Sequence, residues 1–288
     1  AVQQGNFRLI KAQLDAGASV NEKDSQGRTL LMHAIASGNR SLALTLVVLG
    51  ADLTEQDARG MTAMMVAVEA RDRVFLSRLR ELTQIASKQD AEERKAELRA
   101  FSGVERSLLE GRDFDLRNIE YTGLECQKNA DGETASLMAA RLGDWELYCQ
   151  VATHVDSIEA RDNRGRTVAM QAAIYGHVDW FKRLASLTTP DTASDLTGPL
   201  MPLDLKHLAL KDNDGQTALQ LASENAHVEL ADFLWSHLQT IIDAQTKQIE
   251  DGSDPVAERI RWRDMARQAF GEPELTKRLD DEASDKGS

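Results

Sequence analysis

Aromatic side chains make up only 5% of this 288-residue chain, although 42% of it is hydrophobic. Its apolar content is therefore aliphatic, and it predicts a continuous core rich in alanine and leucine. Cysteine is nearly absent. Cys126 and Cys149 are too few to diagnose a disulfide framework, and one bridge or two free thiols both fit, with the burial preference of cysteine favouring the free pair. The five prolines are Pro190, Pro199, Pro202, Pro255 and Pro273, so long stretches contain no helix breaker. No run of about 18 apolar residues occurs, which argues against a transmembrane segment. Positive charge is in deficit: 34 Lys and Arg face 47 Asp and Glu, a formal net charge of −13. That balance opposes phosphate neutralisation, so nucleic acid is not expected as a partner.

Catalytic patterns are missing as well. His33, His154, His207 and His237 have no companion at metal-ligand spacing. There is no phosphate-binding loop, no dinucleotide-type glycine motif and no Gly-x-Ser-x-Gly elbow. The carboxylates of so acidic a chain are mostly solvated. The expectation is a non-enzyme, with no catalytic residue, metal or cofactor.

What the chain does contain is a repeated phrase: Gly27-Arg28-Thr29, Gly60-Met61-Thr62, Gly132-Glu133-Thr134, Gly165-Arg166-Thr167 and Gly215-Gln216-Thr217. Successive threonines lie 33, 72, 33 and 50 residues apart, a common period interrupted by two insertions. A period of this length predicts a stacked array of small helical units. The glycines stand where a tight turn needs positive φ, and Asp24, Asp57, Asp162 and Asp212 can close that turn with local hydrogen bonds. Each threonine precedes an apolar periodic run, as an N-cap does. Alanine pairs such as Ala139-Ala140 and Ala172-Ala173 permit close approach of first helices. The runs 42–49, 145–151, 178–184 and 228–234 read as second helices.

From Asp24 through Asn39 to Leu49-Gly50-Ala51-Asp52-Leu53, and again from Asp162 to His177, these features resemble the ankyrin repeat, with weaker copies starting at Asp57, Asn129 and Asp212. The opening residues match only the second half of a repeat, so the natural N-terminus is expected upstream. The implied fold is an all-α ankyrin-repeat solenoid of about six repeats, built of helix-turn-helix units with short hairpin loops. The expected organisation is repeats one to three over 1–83, a helical insertion over 84–123, repeats four to six over 124–238 with a loop insertion near 188–205, C-terminal capping helices over 239–272 and a disordered tail over 273–288. In the first insertion, Leu98, Phe101, Val104 and Leu108 recur at helical spacing and predict one helix docked on the array. It serves either to widen or bend the stack or as a protrusion for a partner. Arg259, Arg261, Arg263 and Arg267 lie on the predicted capping helix 255–270 and are read as its solvated face.

The chain departs from the family pattern. Leu30, Ala63, Ala135, Val168 and Ala218 replace the usual proline, and Met32, Met65, Leu137, Met170 and Gln220 replace the histidine that braces the loop. Arg71 and Ala226 stand where a glycine should end the first helix, which predicts distortion of those two repeats. His177 and His227 occupy a packing slot of the family.

The resemblance implies that hairpin tips and first-helix ends form the recognition surface. Basic residues gather on the tips, including Arg59, Arg161, Arg164, Arg166 and Lys211, with Arg141, Leu142, Ile174 and Tyr175 at first-helix ends. Solvated turn charges are the plain alternative. The concentration of Arg and Tyr beside apolar groups favours a protein partner with an acidic or carboxylate-bearing surface. Similarity to bacterial ankyrins raises one specific expectation: an inhibitor or immunity protein masking a hydrolase, such as one acting on peptidoglycan, in the bacterial periplasm or cytoplasm, with the periplasm favoured. The competing expectation is an adaptor segment of a larger effector whose activity lies elsewhere.

Overall fold

The computed structural model describes residues 7–109, 126–152, 159–186 and 205–249. The fold starts from a turn that recurs five times. Asp24 Oδ1 accepts the backbone N–H groups of Gln26 at 2.8 Å and Arg28 at 2.9 Å. Asp57, Asn129, Asp162 and Asp212 each accept the same two N–H groups in their own turns at 2.8–3.0 Å. These bonds satisfy donors that the tight turn leaves without helix or sheet partners. The Arg28 N–H and, next, the His33 ring hold the Asp24 carboxyl below its ordinary range.

Immediately after each turn a threonine starts a helix. Thr29, Thr62, Thr134, Thr167 and Thr217 accept the N–H three residues on at 3.3–3.4 Å, at the long end for such a bond. The helices so begun are α2 (Leu30–Ala36), α4 (Ala63–Glu69), α8 (Ala135–Arg141), α10 (Val168–Ile174) and α13 (Ala218–Glu224). Each is followed by a second helix: α3 (Arg40–Val48), α5 (Arg73–Ala86), α9 (Trp145–Val151), α11 (Val178–Ser186) and α14 (Val228–Ile249). A first helix α1 (Phe7–Asp15), α6 (Ala91–Ala100), α7 (Arg106–Leu109) and α12 (Leu205–Leu208) complete the described helices.

The chain divides into two compact units, Ala1–Ala139 with Glu146–Thr153, and Ala140–Trp145 with His154–Ser288. In the first, α2 packs on α4 and α3 on α5, so first and second helices form separate layers. Ala63 to Val68 are all buried, which accounts for a helix apolar on every side. Arg80 donates to the carbonyls of Cys149 at 3.3 Å and Gln150 at 2.8 Å, a cation on the carbonyl end of α9. The second unit repeats the layering, with α10 on α13 and α11 on α14. Trp180 is 2% exposed and meets Trp145 and Phe181 edge to face at 5.8 and 5.2 Å.

Three sequence expectations need correction. Arg71 and Ala226 do not distort their repeats, because both adopt the left-handed backbone themselves, at φ 53° and 60°. Asp72 N–H then reaches Ala67 O at 2.9 Å and His227 N–H reaches Ala222 O at 2.9 Å, as Asn39 does to Ala34 where glycine is present. The cost is backbone strain of about 1–2 kcal/mol at each site instead of lost geometry.

The loop brace judged missing is supplied one residue later in two repeats. His33 bonds Asp24 Oδ2 at 2.8 Å, and Gln171 donates to Asp162 Oδ2 at 2.8 Å. Gln220, in the replaced position, accepts the Thr217 N–H at 2.9 Å and so completes a capping box.

The insertion is not one helix. Helix α6 ends at Phe101, whose backbone is extended, and Gly103 at φ 93° turns the chain. Leu98 and Phe101 are buried, Arg78 lies 4.0 Å over the Phe101 ring, and Glu105 N–H donates to Thr45 Oγ1 at 2.6 Å. The segment thereby docks α6 on α5 and α7 on α3. The last second helix runs on to Ile249, into the segment 239–272 expected to hold capping helices. Residues 110–125, the loop 187–204, the capping segment 255–270 and the tail 273–288 lie outside the described residues. Cys126 is exposed and Cys149 half-buried, and no disulfide forms between them.

Candidate protein-interaction face

Two of the hairpin tips, 161–166 and 211–216, are held side by side in the second unit. Asn213 N–H donates to Arg164 O at 2.9 Å and Asn213 Nδ2 to Asn163 O at 3.1 Å. Arg161 bridges them, donating to Gly165 O and Lys211 O, both at 2.8 Å. Arg166 points the same way: its Nε lies 3.8 Å from Asp212 Oδ2, and the Asp212 side chain has no exposed surface. These two arginines act within the fold. Arg28 makes the equivalent approach to Asp57 at 3.5 Å in the first unit. Where methionine replaces arginine, at Met61, the facing turn opens with Asn129 in place of aspartate, its Nδ2 3.8 Å from the sulfur.

The ends of the first helices are joined by histidines. His177 Nε2 bonds Arg141 O at 2.8 Å and His227 Nε2 bonds Ile174 O at 2.8 Å. Each ring fits because the residue beneath has no side chain: a Cβ at Gly143 would stand 2.4 Å from His177 Nδ1. Tyr175 stacks on His177 at 6.2 Å and 15° and stays 50% exposed. Leu142 and Ile174 are half-buried.

The arginines differ in what faces them. Arg59 bonds Glu69 at 3.2 and 3.4 Å, and that bond raises its already high pKa further. Arg59 is three residues before its threonine and Glu69 seven after. In the Gly165 repeat the same two positions are Arg164 and Ile174. Arg164 is exposed, and its guanidinium makes no ion pair among the described residues. Lys211 is exposed likewise, its ammonium unbonded among the described residues. The structure therefore sorts the nine expected residues. Arg59, Arg161 and Arg166 have internal partners, the backbone of Arg141 and Ile174 braces histidines, Arg164, Lys211 and Tyr175 are exposed, and Leu142 and Ile174 are half-buried. The sequence signal for this sorting was the Arg59/Glu69 against Arg164/Ile174 register. His177, His227 and Asn213 are the positioning residues that a reading by charge passes over.

Among the described residues no group of three His, Cys, Asp or Glu side chains could hold a metal ion, and no helix is long and apolar enough to cross a membrane.

Residues 1–86 match the family model for ankyrin repeats (3 copies). Residues 1–86 are thus ankyrin repeats by sequence, and the fold of the described residues is that of an ankyrin-repeat protein. Among solved structures it is similar to an ankyrin repeat domain from Acinetobacter baumannii AYE, at 20% identity and a TM-score of 0.50, covering 82% of this chain and 95% of that one. That likeness shows the fold. No curated protein matches the chain. Ankyrin repeats are protein–protein interaction modules, and the fold is in general non-catalytic.

Proposed function

We propose that the protein binds an acidic or carboxylate-bearing protein surface through Arg164, with Lys211 as a second cation and Tyr175, Ile174 and Leu142 as the apolar anchor. The observation that carries this reading is the register: the position whose glutamate neutralises Arg59 is Ile174 beside Arg164. An arginine with no carboxylate partner among the described residues, in the same repeat as a half-exposed tyrosine on a braced backbone, has the chemistry of an interface hot spot. A net charge of −13 makes a cationic patch selective, because the rest of the surface repels acidic partners that miss it.

A hydrolase cleft lined with catalytic carboxylates is such a surface. We read the protein as a non-catalytic inhibitor or immunity protein that occludes one, with a peptidoglycan hydrolase of the bacterial periplasm as the favoured target. The test is affinity capture from the native organism with the parent chain and with Arg164→Glu/Tyr175→Ala. One partner is expected to be retained by the parent and lost by the variant, and its hydrolytic activity to fall as the parent is added. Equal capture by both overturns the site, and full hydrolase activity at saturating protein overturns the inhibitor reading. Arg161 is left intact because it joins the two tips.

A further inference from the structure

Neighbouring hairpin tips are joined by a ladder with two rungs per step. In one, the N–H after the turn-opening Asx donates to a carbonyl of the preceding tip: Ala58 to Gln26, Ala130 to Arg59 and Asn213 to Arg164, each at 2.9 Å. In the other, the side chain before the Asx donates forward to the carbonyl at its own position in the next tip: Lys23 to Gln56 at 3.1 Å, Gln56 to Lys128 at 3.0 Å and Arg161 to Lys211 at 2.8 Å. The last tip holds the next acceptor and the next donor of this series, the Asp214 carbonyl and the Lys211 ammonium. Neither is bonded among the described residues. Coverage agrees. A Cβ at Gly60 would stand 2.9 Å from Ala130 N, and one at Gly165 would stand 2.4 Å from Asn213 Oδ1, whereas one at Gly215 would meet nothing within 4 Å.

We infer that the 211–216 edge is a docking site for an Asx turn of a partner polypeptide, which adds one more rung to the tip ladder across the interface. The complement is defined by the three steps already built. The partner turn opens with Asp or Asn, carries a carbonyl just before it for the Lys211 ammonium, and carries a free N–H just after it for the Asp214 carbonyl. Gln216 holds the position from which Arg28, Met61 and Arg166 each face the Asx of the following tip. Its amide donates to the Glu224 carboxylate and keeps a second N–H for the side chain of either acid or amide. Open backbone rungs of this kind are what chain-addition interfaces use. Lys211 is the only residue shared with the Arg164 and Tyr175 face, and the inference does not rest on that face.

The probe is a cyclised peptide copying residues 55–62, the turn that docks on Gly27 within the chain, titrated into the isotope-labelled protein and followed by amide NMR. Saturable shifts are expected at 212–216, largest at Gly215. The same peptide with Ala58→Pro, which lacks the N–H, is expected to leave them unmoved. Lys211→Ala in the protein should weaken binding about three- to tenfold, as loss of one hydrogen bond does. Arg164→Glu/Tyr175→Ala should bind the peptide as the parent does, so failure here and failure of the proposed function are separable. No shift at 212–216 at millimolar peptide, or equal shifts from the proline peptide, overturns the inference. Concentration-dependent shifts at 212–216 without peptide would overturn it in favour of a second copy of the chain. The comparison of the two peptides decides even if Lys211→Ala does not fold.

Discussion

The two units share one backbone plan and couple their repeats by different chemistry. In the first, side-chain charge crosses between repeats: Arg40 Nε lies 2.7 and 2.9 Å from the Asp72 carboxylate, Lys23 lies 2.5 Å from Glu55, and Arg73 pairs with Glu146. In the second, Lys182 and Glu229 at 3.3 Å and Arg166 and Asp212 at 3.8 Å also pair across repeats, but histidines on glycine floors add bonds to main-chain carbonyls, and an aromatic cluster fills the layer behind. A carbonyl brace is directional and carries no net charge, whereas ion pairs at half-exposed arginines are screened by salt. The units also differ in where a cation is left over. At the first-helix ends, Glu69 neutralises Arg59 in the first unit, whereas Ile174 in the second leaves Arg164 facing solvent.

The sharpest way to break the comparison is to remove a glycine floor. Gly143→Ala puts a methyl group into the His177 ring and forces alanine to φ 67°, which is expected to destabilise the second unit by about 2–3 kcal/mol. Hydrogen exchange during urea unfolding would locate the loss there. The reverse change, Ala226→Gly, relieves a left-handed alanine and is expected to stabilise by about 0.5–1 kcal/mol.

A smaller effect separates the two couplings. His177→Ala should cost about 1–2 kcal/mol by leaving the Arg141 carbonyl without its partner, equally in low and high salt. Arg40→Met should cost about 0.5–1 kcal/mol in low salt and less in 1 M NaCl, because the arginine side chain is half exposed while Asp72 keeps its bond to Phe75 N–H. Equal salt responses would mean that the division into charged and uncharged couplings is wrong.

The smallest effect concerns pH. Asp24 has a lowered pKa, so it contributes stability that is present above its ordinary value of 3.8 and is lost as pH falls through its lower folded value. Carboxyl NMR titration should place Asp24 below 3.8. His33→Ala should raise it only part of the way, because the larger cause is the Arg28 N–H.

Legibility followed the range of the interactions. The Asx turns, the threonine caps and the two helices of each repeat were readable because every one of those bonds closes within a few residues. The brace at His33 lay just as near but one residue beyond the family's histidine position, and the capping box at Gln220 stands in that position with an amide in place of the histidine. The insertion was legible as a docked element from its apolar spacing. Its break at Phe101 was not, since the stacking of Arg78 on that ring depends on a helix more than twenty residues away in the chain. The basic row was visible as composition, and its members could not be ranked from composition alone.

By itself, then, the sequence determined the repeat, its register and the residues that cap and close each turn, because local hydrogen bonding needs no tertiary context. Only the tertiary structure decided which of the tip cations are already neutralised and which side of the last tip is left uncovered among the described residues. Those facts depend on groups 10 to 72 residues apart that folding brings within hydrogen-bonding distance.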